Sequence, residues 1–162
     1  MQSNYLESVK KQFNLYKSLG EKTMEQVDEK KLFWQYNEQS NSIAIIVHHL
    51  WGNMLSRWTN FLFEDGEKEW RNRDTEFENV IESRNELLSK WNEGWSCLFN
   101  ALNELNADDL DKIIYIRNSP LTVIDAINRQ LAHYSSHVGQ IVFLGKMILN
   151  DRWKSLSIPK KK

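Results

Sequence analysis

Four stretches of the sequence place apolar residues at the 3.6-residue period of a helix, and that repetition constrains the fold more than any other feature. The first runs from about Asn4 to Met24, with Tyr5, Leu6, Val9, Phe13, Tyr16 and Leu19 at helical spacing. The second runs from about Ser42 to Phe63, with Asn41 or Ser42 as N-cap. The third covers about Thr75 to Leu105, where Glu76, Glu78 and Glu82 suit the positive end of a helix dipole. The fourth covers about Leu121 to Asn150, with Ser119-Pro120 as its entrance. Helices of this length span roughly 30–45 Å, and four of them in one chain bury their stripes only side by side. The expected fold is therefore all-α, a four-helix bundle in a single domain over residues 1–162, with 150–162 as a C-terminal tail. Two connections, Gln26–Asn41 and Asn106–Pro120, are too long for tight turns, so crossover connections are expected. The second of them contains IIYIR, which suits a short strand or simply extended chain.

Composition narrows the function classes. Hydrophobic residues at 41% and charged residues at 27% describe a globular chain, and only six Gly and two Pro argue against a turn-rich β fold. Cys97 is the only cysteine, which excludes a disulfide framework, a zinc ribbon and an iron–sulfur site and fits a reducing cytoplasm. No apolar run is long enough for a signal peptide or a membrane span, so no membrane partner is expected. Residues 61–110 hold thirteen acids against five bases, and 111–162 hold three against nine. That asymmetry is too diffuse for a nucleic-acid footprint, and Lys160-Lys161-Lys162 reads as a solvated tail, so no nucleic-acid partner is expected.

All four histidines lie in the two most apolar stretches. Projected at about 100° per residue, His49 shares a narrow stripe with Ile45, Asn53, Ser56 and Asn60, while His48 falls on the other flank beside Gly52 and Leu55. In the fourth stretch His133 shares its stripe with Arg129, His137 and Gln140. His133 and His137 are an i, i+4 pair, the spacing at which two imidazoles on one helix can share a metal ion. A third imidazole from a facing helix makes three protein ligands and leaves room for water or substrate, as catalytic sites do. The competing reading is a set of core histidines hydrogen-bonded to Asn53 and Gln140. No Glu-x-x-His and no HExxH is present, which removes the ferritin-like di-iron and zincin patterns.

The strings NSIAIIVHHL and QLAHYSSHVGQI resemble the DinB-like superfamily of metal-binding four-helix bundles. GNMLSRWTNFLFEDGEKEWRNRDTEF, RQLAHYSSHVGQ and the closing WKSLSIP resemble one bacterial branch of it, over nearly the whole chain. The superfamily's first ligand is a His followed by Leu, which maps onto His49; its HxxxH pair maps onto His133 and His137. The resemblance implies a divalent metal ion, commonly zinc or nickel, and often a homodimer. It also implies a small-molecule substrate, such as a low-molecular-weight thiol of the bacillithiol or mycothiol kind in a transferase, or a small molecule to isomerise or hydrolyse. It does not supply the reaction.

Around the histidines, Arg57 lies about 80° off their stripe, and Asp65-Gly66 is a turn signal followed by Trp70, Arg71, Arg73 and Asp74. Such a loop either brings guanidinium groups over the mouth of the bundle to hold a carboxylate or phosphate, or is pinned by an Arg–Asp network. Arg129 points to the same interior, where it pairs with a loop acid such as Asp74 or awaits an anionic ligand. Arg57 and Arg129 are thus expected to help bind an anionic small molecule. No Glu or Asp sits on the histidine stripes, and Asn53 and Gln140 are not bases, which favours metal activation of a thiol over hydrolysis. A metal-dependent enzyme, a metal-holding binding module and a purely structural bundle are the three classes left open. Ala132, Ser135, Ser136 and Gly139 form a small-residue face that another helix, within the chain or from a second subunit, can approach, and Cys97 reads as packing.

Overall fold

The computed structural model describes residues 2–159, so the Lys160–Lys162 tail lies outside the described residues. Four long helices dominate it: α1 (Gln2–Gln26), α2 (Ile43–Trp58), α3 (Arg84–Glu104) and α4 (Val123–Leu149). A two-stranded antiparallel sheet, β1 (Ile113–Ile116) and β2 (Ser119–Thr122), joins α3 to α4. The chain is therefore mostly helical but not all-α. The IIYI run is a strand, because Arg117 and Asn118 take φ of 55° and 60° and turn it back on itself. Pro120 consequently sits in β2, opposite Tyr115, and not at a helix entrance.

Local chemistry sets the helix ends. The Ser42 hydroxyl accepts from Ile45 N at 3.1 Å and starts α2, which stops at Trp58 because Asn60 turns left-handed at φ 50°. Ser83 accepts from Glu86 N at 3.2 Å and starts α3 nine residues later than the acidic run suggests. Residues 74–77 form a separate 3-10 turn. Thr122 caps α4 through Asp125 N at 3.1 Å. The long segment 59–83 is tied to the hairpin: Asp65 accepts from the backbone N–H of Glu67, Arg117 and Asn118 at 2.7–2.8 Å, and Gly66 N donates to Tyr115 O at 2.8 Å.

α2 packs on α3 and α4, and α1 packs on α4 and α3. The consecutive pairs α1/α2 and α3/α4 are not among the closely packed pairs of the described residues, so segments 27–42 and 105–122 each cross between diagonal positions. Those are the two connections whose length forbids tight turns. The core is aromatic, with Phe13, Trp91, Trp95 and Tyr134 fully buried among Leu50, Met54 and Leu87. Every residue from Ile43 to Leu50 is buried, because α3, α4 and the 74–77 turn all cover α2. No helix among the described residues is long and apolar enough to cross a membrane.

Candidate metal centre

α2 contributes His49, and α4 contributes His133 and His137 one turn apart. His133 Nε2 lies 3.2 Å from His49 Nε2 and 3.1 Å from His137 Nε2. Each outer nitrogen faces an acceptor: Glu76 Oε2 accepts from His49 Nδ1 at 2.9 Å, Gln130 Oε1 from His133 Nδ1 at 3.4 Å, and Gln140 Oε1 from His137 Nδ1 at 3.3 Å. With the protons on Nδ1, a neutral ring turns its Nε2 lone pair inward. Three lone pairs then converge on one point, an arrangement that repels until a cation stands among them. Three nitrogens around a tetrahedral ion at about 2.1 Å lie about 3.4 Å apart, close to the two distances from His133 Nε2, and all three ligand atoms lie within 4.8 Å of one another, so the donor set fits a divalent ion. Burial, with His137 and His49 adding to it, pushes the His133 pKa down to about 3, and burial lowers His137 too. Both rings are thus kept free of the proton that would compete with a metal.

Glu76 is the residue that the sequence hides. It was expected to decorate a helix N-terminus; instead it is buried at 3% exposure on the 74–77 turn. Its Oε2 takes both His49 Nδ1 and Arg71 Nη2, the latter at 2.9 Å, while Oε1 takes Arg71 Nε at 2.6 Å. Burial alone would raise this carboxyl, but the Arg71 fork and His49 hold it below the usual range. The notch that admits it is Gly52, where an added Cβ would stand 2.9 Å from Glu76 Cδ and closer still to Oε1. A glycine in the middle of a helix three residues after His49 was the available signal, since it costs helix stability and asks for a close approach.

His48 does not join the cluster. It stacks on Trp51 with ring centroids 5.6 Å apart, and its buried Nδ1 has no hydrogen-bond partner among the described residues. Burial, then Lys90, lowers its pKa.

The triad forms one wall of a cavity of about 390 Å³. Asn53, Arg57 and Gln130 line it from the helices, Arg71, Arg73 and Phe77 from segment 59–83, Arg117 from the hairpin turn, and Arg129 from α4. Phe77 stacks on His49 at 4.8 Å. Asn53 is held by a relay in which Trp58 Nε1 donates to Tyr134 Oη, whose hydroxyl donates to Asn53 Oδ1, both at 3.0 Å.

The remaining expected residues divide. Arg57 lines the cavity but is also pinned, donating to Gly66 O and, at 3.1 Å, to Glu67 Oε2. Arg129 is exposed at the rim, not buried, and forms no ion pair among the described residues. Asp74 is exposed, does not line the cavity and does not pair with Arg129. The acid that pins the loop is Glu67, which Arg117 Nε also reaches at 2.9 Å. Gln130 was missed as a partner of His133, although a polar residue at i−3 from a histidine is a readable hint. Nothing in sequence spacing places Arg117 near His133.

The protein-family comparison matches residues 1–162 to the model described as "Protein of unknown function (DUF1572)", so the chain belongs to that family. No curated protein matches the chain.

Proposed function

We propose that this member of the DUF1572 family is a divalent-metal-dependent enzyme acting on a small molecule, with His49, His133 and His137 as the metal ligands. The observation that carries the reading is the convergence of three Nε2 atoms on the wall of an open cavity. A structural site closes with a fourth protein ligand, whereas this cluster has three members among the described residues. Imidazole donors suit zinc and nickel, and these are the ions we assign.

Bound there, the ion would supply a Lewis acid that lowers the pKa of a thiol or water brought to it. The chain's part is orientation: Glu76, Gln130 and Gln140 hold the three rings by their Nδ1–H groups, and Asn53 is locked by Tyr134. The two carboxylates nearest the cavity, Glu76 and Glu67, are both engaged by guanidinium groups. Among the described residues that line the cavity no carboxylate is free to act as a base, which supports thiol transfer over hydrolysis. In that reaction an S–C bond forms at the electrophile as its carbon–leaving-group bond breaks, and the thiol proton passes to solvent.

The accompanying fold reading is a DinB-like four-helix bundle with crossover connections, supported by the diagonal placement of α1/α2 and α3/α4. A homodimer through α4 is supported by Ala132, Ser136 and Gly139 with Phe143 and Met147 exposed on that helix, and a cytoplasmic location by the single Cys97. The test is metal analysis of untagged protein, followed by incubation of metal-loaded protein with cellular thiols and electrophiles. About one ion per chain and a thiol conjugate are expected. A protein without metal, or one that consumes esters and forms no conjugate, overturns the reading.

A further inference from the structure

The chain has seven arginines and fourteen lysines; among the described residues five arginines line the cavity of the triad, and no lysine does. Arg57, Arg71, Arg73, Arg117 and Arg129 come from four separate parts of the chain, so their convergence is a product of the tertiary fold and not of local sequence. Facing them are two carboxylates. Glu76 is shared between Arg71 and His49, and Glu67 between Arg57, Arg117 and, at 4.0 Å, Arg71. Neither carboxylate is a lining residue, and among the described residues five guanidinium groups face two carboxylates, an excess of three positive charges.

The excess is visible atom by atom. Arg73 and Arg129 form no ion pair among the described residues, and Arg73 lies 5.9 Å over the Phe77 ring. Among the described residues Arg57 Nε and Arg71 Nη1 are buried without a hydrogen-bond partner, Arg71 Nη1 standing 4.0 Å from Glu67 Oε1, on side chains only 5% and 2% exposed. Leaving one N–H of a buried guanidinium without an acceptor is costly even where the charge itself is paired. Clasping segment 59–83 to the hairpin accounts for Glu67 with Arg57 and Arg117. It accounts for neither the two unpaired arginines nor the two orphaned N–H groups. Asn53 adds a further donor, since its Oδ1 is occupied by Tyr134 and its Nδ2 has no protein partner among the described residues.

We propose that this cavity is a subsite for a small organic molecule carrying two negative oxyanion charges, a phosphate monoester or a dicarboxylate, with Arg73 and Arg129 gripping it at the rim and Arg57 and Arg71 below. A single negative charge would leave most of the excess uncompensated. Planar guanidinium forks match the paired oxygens of phosphate and carboxylate, which accounts for arginine to the exclusion of lysine. About 390 Å³ admits a small molecule and not a polymer. The inference deepens the metal-dependent reading and rests on it only for what the reacting end of the molecule meets.

Calorimetric titration of inorganic phosphate and of succinate into zinc-loaded protein tests it, with acetate at matched ionic strength as the singly charged control. At least one dianion should bind about tenfold more tightly than acetate, and the tighter of the two identifies the oxyanion. Arg73→Gln and Arg129→Gln remove exposed side chains without protein ion pairs, so both variants should keep the melting temperature of the parent and each lose about tenfold in dianion affinity. In His133→Ala the dianion should still bind, with only the ion's own attraction lost. Equal binding of acetate and the dianions, or unchanged affinity in both arginine variants, overturns the subsite. So does loss of binding in His133→Ala with the arginine variants unaffected, since the anion then sits on the metal. A chain that retains no zinc yet binds the dianion sinks the metal-dependent reading and leaves the subsite standing.

Discussion

Glu76 Oε2 accepts the Nδ1–H of His49 at 2.9 Å from a turn 27 residues away in sequence, while Arg71 grips the same carboxylate from its other side. This contact decides which nitrogen of His49 faces the other two imidazoles. It also makes a buried ion pair part of the candidate metal centre, so the site and its scaffold are expected to respond together.

Glu76→Gln keeps the shape but weakens the acceptor, and metal affinity should fall about 10- to 100-fold. Glu76→Ala leaves Arg71 buried with only Glu67, 4.0 Å from Nη1, as a counter-charge, and should cost about 3 kcal/mol of stability as well. Denaturant unfolding with metal titration on both variants checks the pair. Unchanged metal affinity in the Gln variant would show that His49 does not need this partner.

Gly52→Ala should act like a lesion at Glu76. In an exposed helix interior the same change would stabilise by about 1 kcal/mol. Here the new methyl group meets the Glu76 carboxylate, so both stability and metal affinity should fall. Combined with Glu76→Ala, which vacates the space, the effect of Gly52→Ala should largely vanish in a double-mutant cycle.

His133→Ala should abolish stoichiometric metal binding, whereas His48→Ala should leave it nearly intact, because His48 stacks on Trp51 on another flank of α2. An ion at about 100 times its dissociation constant should add about 2.7 kcal/mol to the stability of the parent. Metal content by atomic spectroscopy and thermal melts with and without chelator read both outcomes; equal metal loss in the two variants would contradict the assignment of His49 over His48.

Asp65 contributes to the acid limb of the stability profile, together with Glu67 and Glu76. Burial would raise its pKa, but the backbone N–H groups of Asn118, Glu67 and Arg117 hold it below the usual carboxylate range. A depressed folded pKa contributes stability that is present above the unfolded value of about 3.9 and is lost as pH falls through the folded value. Asp65→Asn should therefore lower stability at neutral pH and flatten the decline below about pH 4. Unfolding midpoints from pH 2 to 7 for the two proteins provide the comparison.

What the sequence by itself determined is whatever depends on helical periodicity. The apolar stripes located four helices, the i, i+4 spacing paired His133 with His137, and angular projection separated His49 from His48. Those relations lie within single helices, where geometry is fixed at about 100° per residue. The lengths of segments 27–42 and 105–122 likewise announced crossings, since a chain cannot turn tightly with that many residues.

The tertiary structure decided everything carried by segments without a period. Residues 75–83 have the acidic composition of a helix start, yet they form only the end of a 3-10 turn over 74–77 and irregular chain after it, because Glu76 gains more from Arg71 and His49 in the interior than from a helix dipole at the surface. Pro120 reads as a helix entrance, yet it lies in a strand because Arg117 and Asn118 adopt the left-handed turn that pairs it with Tyr115. The same turn delivers Arg117 to a cavity whose other arginines stand on α2, α4 and segment 59–83. Charge on a loop has no preferred direction until its partners are in place, and here those partners lie far apart along the chain.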